Sequence, residues 1–340
     1  IGHGGSISSN TYASGQAGTV IVDAVGSITI DGQGSSGNDV TIGISSDAKS
    51  GSTGNAGNVA VSAKKNLSIV NGGQISSDTL SLGNAGTVKV SAADIAISSG
   101  GGISSSTASS GNAGTVTVNA NNITIDAFNQ GGLPTGIFSE SSVTDEGPSG
   151  HGGDIAVTAD ALTLTRGGVI SARTSFNGRG GSINLQVNHL ALTEGGSITA
   201  LTSGTGSAGD IIIHSASDVT ISGVSATDFR RDYDGQQVTG QFSGIYLNSQ
   251  GSGNGGNLQL KTRQLTVNDG GLISAIAVDG NVASLPENQA GNIDIDAGSI
   301  ILANGGAIDA STSGAGRAGS VTVDAGTSIT ITGNFHHALH

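Results

Sequence analysis

Apolar and polar residues alternate along this chain in bursts of three to five positions, and the bursts return at a fixed interval. In "GNAGTVTVNANNITI" (111–125), Val116 and Val118 form one alternating pair and Ile123 and Ile125 a second. Near-copies recur as "GNAGNVAVSAKKNLSI", "GNAGTVKVSAADIAI", "QAGNIDIDAGSII" and "RAGSVTVDAGTSITI". Period-two alternation predicts strands with these residues on one face and residues such as Lys89, Ala96 and Ser104 on the other. A third burst has the form GG-x-I-S/T-A/S and is built on Ile75, Ile103, Ile170, Ile198, Ile273 and Ile308. Two residues later it carries Ser77, Ser105, Ala172, Ala200, Ala275 or Ala310.

Aligned on the Ala-Gly or Gly-Gly before each first burst, ten copies start at Ala17, Ala56, Ala85, Ala113, Gly152, Gly180, Ala208, Gly255, Ala290 and Ala318. Their spacing returns repeatedly to 28 residues, with a few longer steps, the signature of a solenoid. Strands this short form no stable sheet alone, but stacked at about 4.8 Å per coil they pair in parallel with the coils above and below. The expectation is an all-β, right-handed parallel β-helix with three parallel sheets, about 28 residues per coil and roughly ten coils. At that spacing the rod is roughly 50 Å long. Glycine and asparagine between bursts are read as positive-φ corners, and the small residues Ala92, Ala120, Ala159 and Ala297 as the filling of the corner after the first strand. A β-sandwich also has many short strands, but it does not produce a 28-residue period.

Composition agrees with an aliphatic coil. Glycine accounts for 59 of 340 residues, aromatics for 3%, and cysteine is absent, so disulfides and thiol chemistry are excluded. A net charge of −13 repels nucleic acid and anionic bilayers, and no apolar run is long enough to span a membrane. No cofactor or metal motif is recognised. The "GSGNGG" at 251–256 precedes a strand instead of opening a helix, so it implies no dinucleotide site. Residues 1–333 read as one solenoid, expected to be an excised piece of a longer chain, and 334–340 as a tail whose His336, His337 and His340 sit at a frayed end.

Function in a solenoid is sought where the repeat departs from itself. Insertions fall at 31–41, 126–135, 142–150, 223–243 and 278–289. The first, second and fourth lengthen the step between second and third strands from its usual six residues, as from Ile97 to Ile103, to 14, 12 and 24. If the insertions 126–135 and 223–243 rise on one edge, they flank a shallow groove floored by Ser171, Arg173, Thr199 and Leu201. Insertion 223–243 holds Asp228, Arg230, Arg231, Asp232, Tyr233 and Asp234. Its opposite charges either neutralise one another, hold a ligand, or serve a glycosidase or lyase reaction, which needs two carboxylates aimed at one sugar. Asp154 and Asp210 share a repeat position but read as a solvated turn. The outward column Ser8, Ser45, Ser76, Ser104, Phe138, Ser171, Thr199, Tyr246, Ser274, Asp309 is too interrupted for an ice-ordering array. No acidic cluster is expected to span neighbouring coils.

Over its whole length the chain resembles the repeat region of filamentous-haemagglutinin-like exoproteins, on the strength of "GNAGTVTVNANNITI", "GGGISSSTASSGNAG" and their copies. The resemblance implies a β-helical shaft of a large secreted bacterial surface protein, exported by two-partner secretion through an outer-membrane β-barrel transporter. It further implies a non-catalytic structural and adhesive role at the extracellular cell surface, with surface glycans or proteins as partners. The secretion domain of that family has no counterpart here. Head-to-tail self-association is a further expectation, and a carbohydrate-active β-helix enzyme is the alternative reading.

Overall fold

The computed structural model describes residues 5–33, 42–128, 133–142, 149–225, 241–278, 288–313 and 315–333, together with the backbone of 229–231 and 237–239. Every long ladder in it is parallel, and the chain winds as a parallel β-helix. Third strands, from Ser6–Ser8 to Ala307–Asp309, stack into one 10-stranded sheet. First and second strands stack into a single 14-stranded sheet. The three expected faces are present, but two of them belong to one hydrogen-bonded sheet.

That fusion develops along the chain. In the copies beginning at Ala17 to Ala113 the first and second strands are separate, as in Val88–Ser91 and Asp94–Ser98. From the copy beginning at Gly152 onward they run together as one bent strand: Ile155–Thr165, Ile183–Thr193, Ile211–Ser222, Leu258–Asn268, Ile293–Ala303 and Val321–Thr332. The bend falls beside the small residues expected at the corner, of which Ala159 and Ala297 are buried and Ala92 and Ala120 pack partly against the core.

Register follows the repeat. Val88, Val116 and Ile155 are direct partners, as are Ile97, Ile125 and Leu164. Third-strand isoleucines pair from Ile75 through Ile103, Ile137, Ile170, Ile198, Ile245 and Ile273 to Ile308, despite the enlarged steps before Ile137 and Ile245. These residues fill one aliphatic interior, where Val116, Val118, Ile123 and Ile125 are buried. Each fully buried aliphatic side chain contributes roughly 1.5–3 kcal/mol before ordering entropy is subtracted. At the last coil the inward positions Val321, Ile329 and Ile331 are exposed.

The positive-φ corners expected of glycine and asparagine are found mainly at one turn of the coil, and the asparagines ahead of the first strand are not among them. Positive φ occurs at the turn into the third strand, where Asn71, Ser99, Arg166, Glu194, Asp269 and Asn304 all lie near φ +50 ahead of a glycine near +80. Asn55, Asn84 and Asn112 each accept the backbone N–H one coil on, at Asn84, Asn112 and His151. His151 continues the column through Nδ1, which accepts from Arg179 N–H. A parallel column runs through Asn58, Asp154, Asp210, Asn257 and Asn292. Asp154 and Asp210 are thus staples between coils, one bond each to the backbone of the next.

The glycine of the repeated Ala-Gly or Gly-Gly pair is needed for close approach. A Cβ at Gly114 would fall 1.7 Å from Gly86 O, and one at Gly209 would fall 1.8 Å from Gly181 O. Inward serines brace this column in the early copies. Ser46, Ser77, Ser105 and Ser139 donate to the carbonyls of Gly18, Gly57, Gly86 and Gly114. Ala172, Ala200, Leu247, Ala275 and Ala310 take that position later.

Candidate functional site

The outward side of the third face is built from side-chain columns that repeat once per coil. One is the serine-rich column; the next, two residues on, reads Asn10, Asp47, Asp78, Ser106, Glu140, Arg173, Leu201, Asn248, Ile276, Ser311. Outward serines here are buried, Ser76 to 3% exposure and Ser274 to 0%, because the second column folds over them. Asn10 Oδ1 accepts from Ser45 Oγ and Asp47 N–H one coil on. Asp47 Oδ1 accepts from Ser76 Oγ and Asp78 N–H, Asp78 Oδ1 from Ser104 Oγ and Ser106 N–H, and Asn248 Oδ1 from Ser274 Oγ and Ile276 N–H. Each acid or amide therefore grips the hydroxyl and backbone of the following coil.

The expectation that no acidic cluster spans neighbouring coils did not foresee one pair of acids within this ladder. Asp47 and Asp78 occupy adjacent positions of one column. Asp47 also pairs with Lys49 Nζ at 2.8 Å. Burial first, and the charge of Asp47 second, push the Asp78 carboxyl up to about 7, the expected response to desolvation beside a like charge.

The ladder stops in the middle of the face. Glu140 pairs with Arg173, Oε1 to Nε at 3.1 Å, instead of gripping Ser171. Arg173 stands where Thr199 would need an acceptor, and a guanidinium has none to give. Leu201 follows, then Asn248 restores the pattern. Ser171 Oγ and Thr199 Oγ1 are left without a partner although their residues are only 2% and 9% exposed. Of the seven buried, unpartnered side-chain polar atoms among the described residues, three border the same groove, the third being Gln241 Oε1.

That groove has a volume of about 410 Å³. Ser171, Arg173, Thr199 and Leu201 line it, the four residues expected on its floor, with Pro134 and Gln241 from the flanking insertions. Phe138 and Tyr246 line it as well. They belong to the same column as Ser171 and Thr199 and stand at its two ends, three coil steps apart, or roughly 14 Å at the strand spacing. Tyr246 lies close over Gly244, where a Cβ would come 2.7 Å from its Cζ, and donates its hydroxyl to Phe242 O at 2.8 Å. Burial pushes its phenol upward.

The rims are anchored to the coils. Insertion 126–135 is tied down where Asp126 makes a two-point ion pair with Arg166, whose guanidinium also lies 4.4 Å from the centre of the Phe128 ring. Insertion 223–243 leaves and rejoins the shaft through an antiparallel bridge between Val224 and Phe242, and Phe229–Arg231 pairs with Gln237–Thr239 as a hairpin. Gln241 Nε2 donates to Ser197 Oγ at 3.1 Å. Of the candidate residues expected in this arm, Asp228, Asp232, Tyr233 and Asp234 lie outside the described residues, and for Arg230 and Arg231 only the backbone is described. Arg173 and Thr199 are the candidates whose side chains the structure places together in the groove.

A larger concavity, about 630 Å³, opens at the corner of the long bent strands beside Ala120, Ala159, Val187 and Ala216. No insertion announced it. Its polar side chains are largely engaged, Asp160 with Asn188, His214 with Gln186 and Lys261 with Asp296. The central groove is the stronger candidate because its buried hydroxyls are not. Among the described residues no group of three or more His, Cys, Asp or Glu is placed to hold a metal. Comparison with protein-family models, curated proteins and solved structures finds no match to this chain.

Proposed function

We propose that this chain is a non-catalytic structural shaft and adhesin segment of a large secreted bacterial surface protein, similar in design to filamentous-haemagglutinin-like exoproteins. The observation that carries the reading is the stack itself, two sheets continuous from Ser6 to Thr332, interrupted by insertions that leave the third-strand register unchanged. A solenoid of this kind gains stability coil by coil. It suits a chain that crosses an outer-membrane β-barrel transporter unfolded and folds outside, an extracellular location for which cysteine-free composition is well adapted. The insertions are the parts presented to surface glycans or proteins.

The neighbouring acids Asp47 and Asp78 support the non-catalytic reading, since both are engaged in joining coils. Head-to-tail self-association belongs to the same reading, because an open parallel edge pairs readily with another. Light scattering at increasing concentration tests that point: growth of rods is expected, and a monomer throughout contradicts it.

Adhesion is tested by coating beads with the full chain and counting attachment to cultured cells, with and without shortening of 223–243. Attachment that falls on shortening is expected; beads that never attach overturn the adhesive role. A reducing-end assay on a polysaccharide panel addresses catalysis. New chain ends produced by the chain, and lost on joint replacement of Asp228, Asp232 and Asp234, would replace this reading with the enzymatic one.

A further inference from the structure

We propose that the stretch of the third face between Phe138 and Tyr246 is a binding subsite for a neutral oligosaccharide lying along the coil axis. The inference rests on the adhesin reading and gives its groove a ligand class.

The first argument is the broken ladder. Outward hydroxyls at Ser45, Ser76, Ser104 and Ser274 are all taken by an acid or amide of the preceding coil. At Ser171 and Thr199 the acceptor is diverted or replaced, and both hydroxyls are buried without a partner. Leaving buried polar groups unpaired costs stability. Two adjacent coils carry that cost where the face forms this groove. A ligand rich in hydroxyls supplies the missing donors and acceptors.

The second argument is charge. Arg173 and Glu140 are the charged residues lining the groove, and they neutralise one another. With a net charge of −13 on the whole chain, nothing here favours a polyanion.

The third argument is geometry. Aromatic rings close both ends of the slot, and hydroxyls floor it at one per coil, about 4.8 Å apart. An extended β-1,4-linked sugar chain advances by about one such step per ring and turns over at each linkage, so each ring meets one coil and like edges recur every second coil, with Phe138 and Tyr246 beside the terminal rings. An extended peptide repeats its like-facing side chains at roughly 6.6–6.8 Å, out of step with the coils. Nor can a peptide add as a strand, because the backbone of this face is already paired above and below. For a ligand to reach the two hydroxyls, Gln241 at the rim and Arg173 on the floor must leave Ser197 and Glu140, a side-chain change of the kind commonly seen on binding.

The test is calorimetric titration of the full chain with β-1,4-linked glucose and N-acetylglucosamine oligomers of two to five rings. A uronate oligomer and an uncharged extended peptide of equal length serve as competing probes. Binding of a neutral oligomer is expected, strengthening with length until the slot is filled. Thr199→Val is expected to weaken it by about tenfold, the worth of one good hydrogen bond, while the melting temperature stays level or rises. Phe138→Ala and Tyr246→Ala should shorten the preferred oligomer. Ser104→Ala, outside the groove, should leave binding unchanged and lower the melting temperature. Preference for the uronate or the peptide overturns the proposal, as does absence of binding by every neutral oligomer. Parallel loss of binding and stability in Thr199→Val also overturns it, because the hydroxyl would then be structural. If bead attachment persists while neutral oligomers fail to bind, the subsite falls and the adhesin reading stands. If attachment never occurs, the adhesin reading falls independently.

Discussion

The copies before Gly152 and those after it make the same coil with different fastenings. In the early copies the first and second strands are short and separate. Inward serines bond to glycine carbonyls, and the outward column grips each next coil through Asn10, Asp47 and Asp78. In the later copies one bent strand of 11 or 12 residues replaces the pair. The inward serines have become alanine or leucine, and the outward column holds Arg173, Leu201 and Ile276. Longer backbone ladders there make side-chain staples less necessary. Asn248 keeps the staple in one later coil, but at Arg173 and Leu201 the outward column is free for contact with something else, and the groove begins where the early ladder ends.

What both halves share is the close-packed glycine column, so the largest effect should come from breaking it. Gly114→Val places a side chain where even a Cβ meets Gly86 O at 1.7 Å. The coils must part, and loss of several kcal/mol is expected, as for severe overpacking. Chemical denaturation should show it, and Gly209→Val should behave alike; tolerance in either half would mean that the column is not shared. Val116→Asp is the corresponding test of the core, since an unpaired charge at a fully buried position costs about 3–5 kcal/mol.

Removing one staple should act on the side-chain ladder alone. Asn248→Ala leaves Ser274 Oγ and Ile276 N–H without their acceptor, and a cost of about 1–3 kcal/mol is expected. Urea midpoints measure it, and an unchanged midpoint would show that the later copies need no staple at all.

Acidity should separate the halves further. The folded chain holds the Asp78 proton up to about 7, against 3.8 for an ordinary aspartate. Protonation therefore favours the folded state. The stability that Asp78 contributes is fully present below about 3.8 and is lost as pH rises towards 7. Amide exchange in the copies beginning at Ala17 and Ala56 should quicken, relative to the later copies, as pH rises through that window after correction for intrinsic exchange. Asp78→Asn should abolish the difference. An equal response in both halves would remove Asp78 as its cause. The smallest effect is expected at the exposed staples: Asn58→Ala deletes one bond to Thr87 N–H and should cost no more than about 1 kcal/mol.

The isoleucine register was legible in the sequence because it depends on local alternation and on counting. Ile137 and Ile245 could be paired with Ile103 and Ile198 without knowing the path of the residues between. The fusion of first and second strands was not legible, since it turns on whether the residues at the corner keep an extended backbone. Nor was the role of Asn84 or Asp154, because an exposed amide reads the same whether it is solvated or caps a neighbouring coil. The groove floor was anticipated from the insertions on either side. That Ser171 and Thr199 lack partners emerges only when their column is set beside the next, one coil back, a relation between residues about 28 apart. Asp47 and Asp78 were missed for the same reason.

The unchanged pairing of Ile198, Ile245 and Ile273 around the longest insertion also bears on engineering and descent. Loop closure grows only logarithmically with length, by about 0.6 kcal/mol per doubling. The turn between second and third strands is therefore a socket: a foreign segment seated after Ile221 need only return its ends to the spacing of Val224 and Phe242. A lineage could exchange what is mounted there without renegotiating the scaffold, one coil at a time.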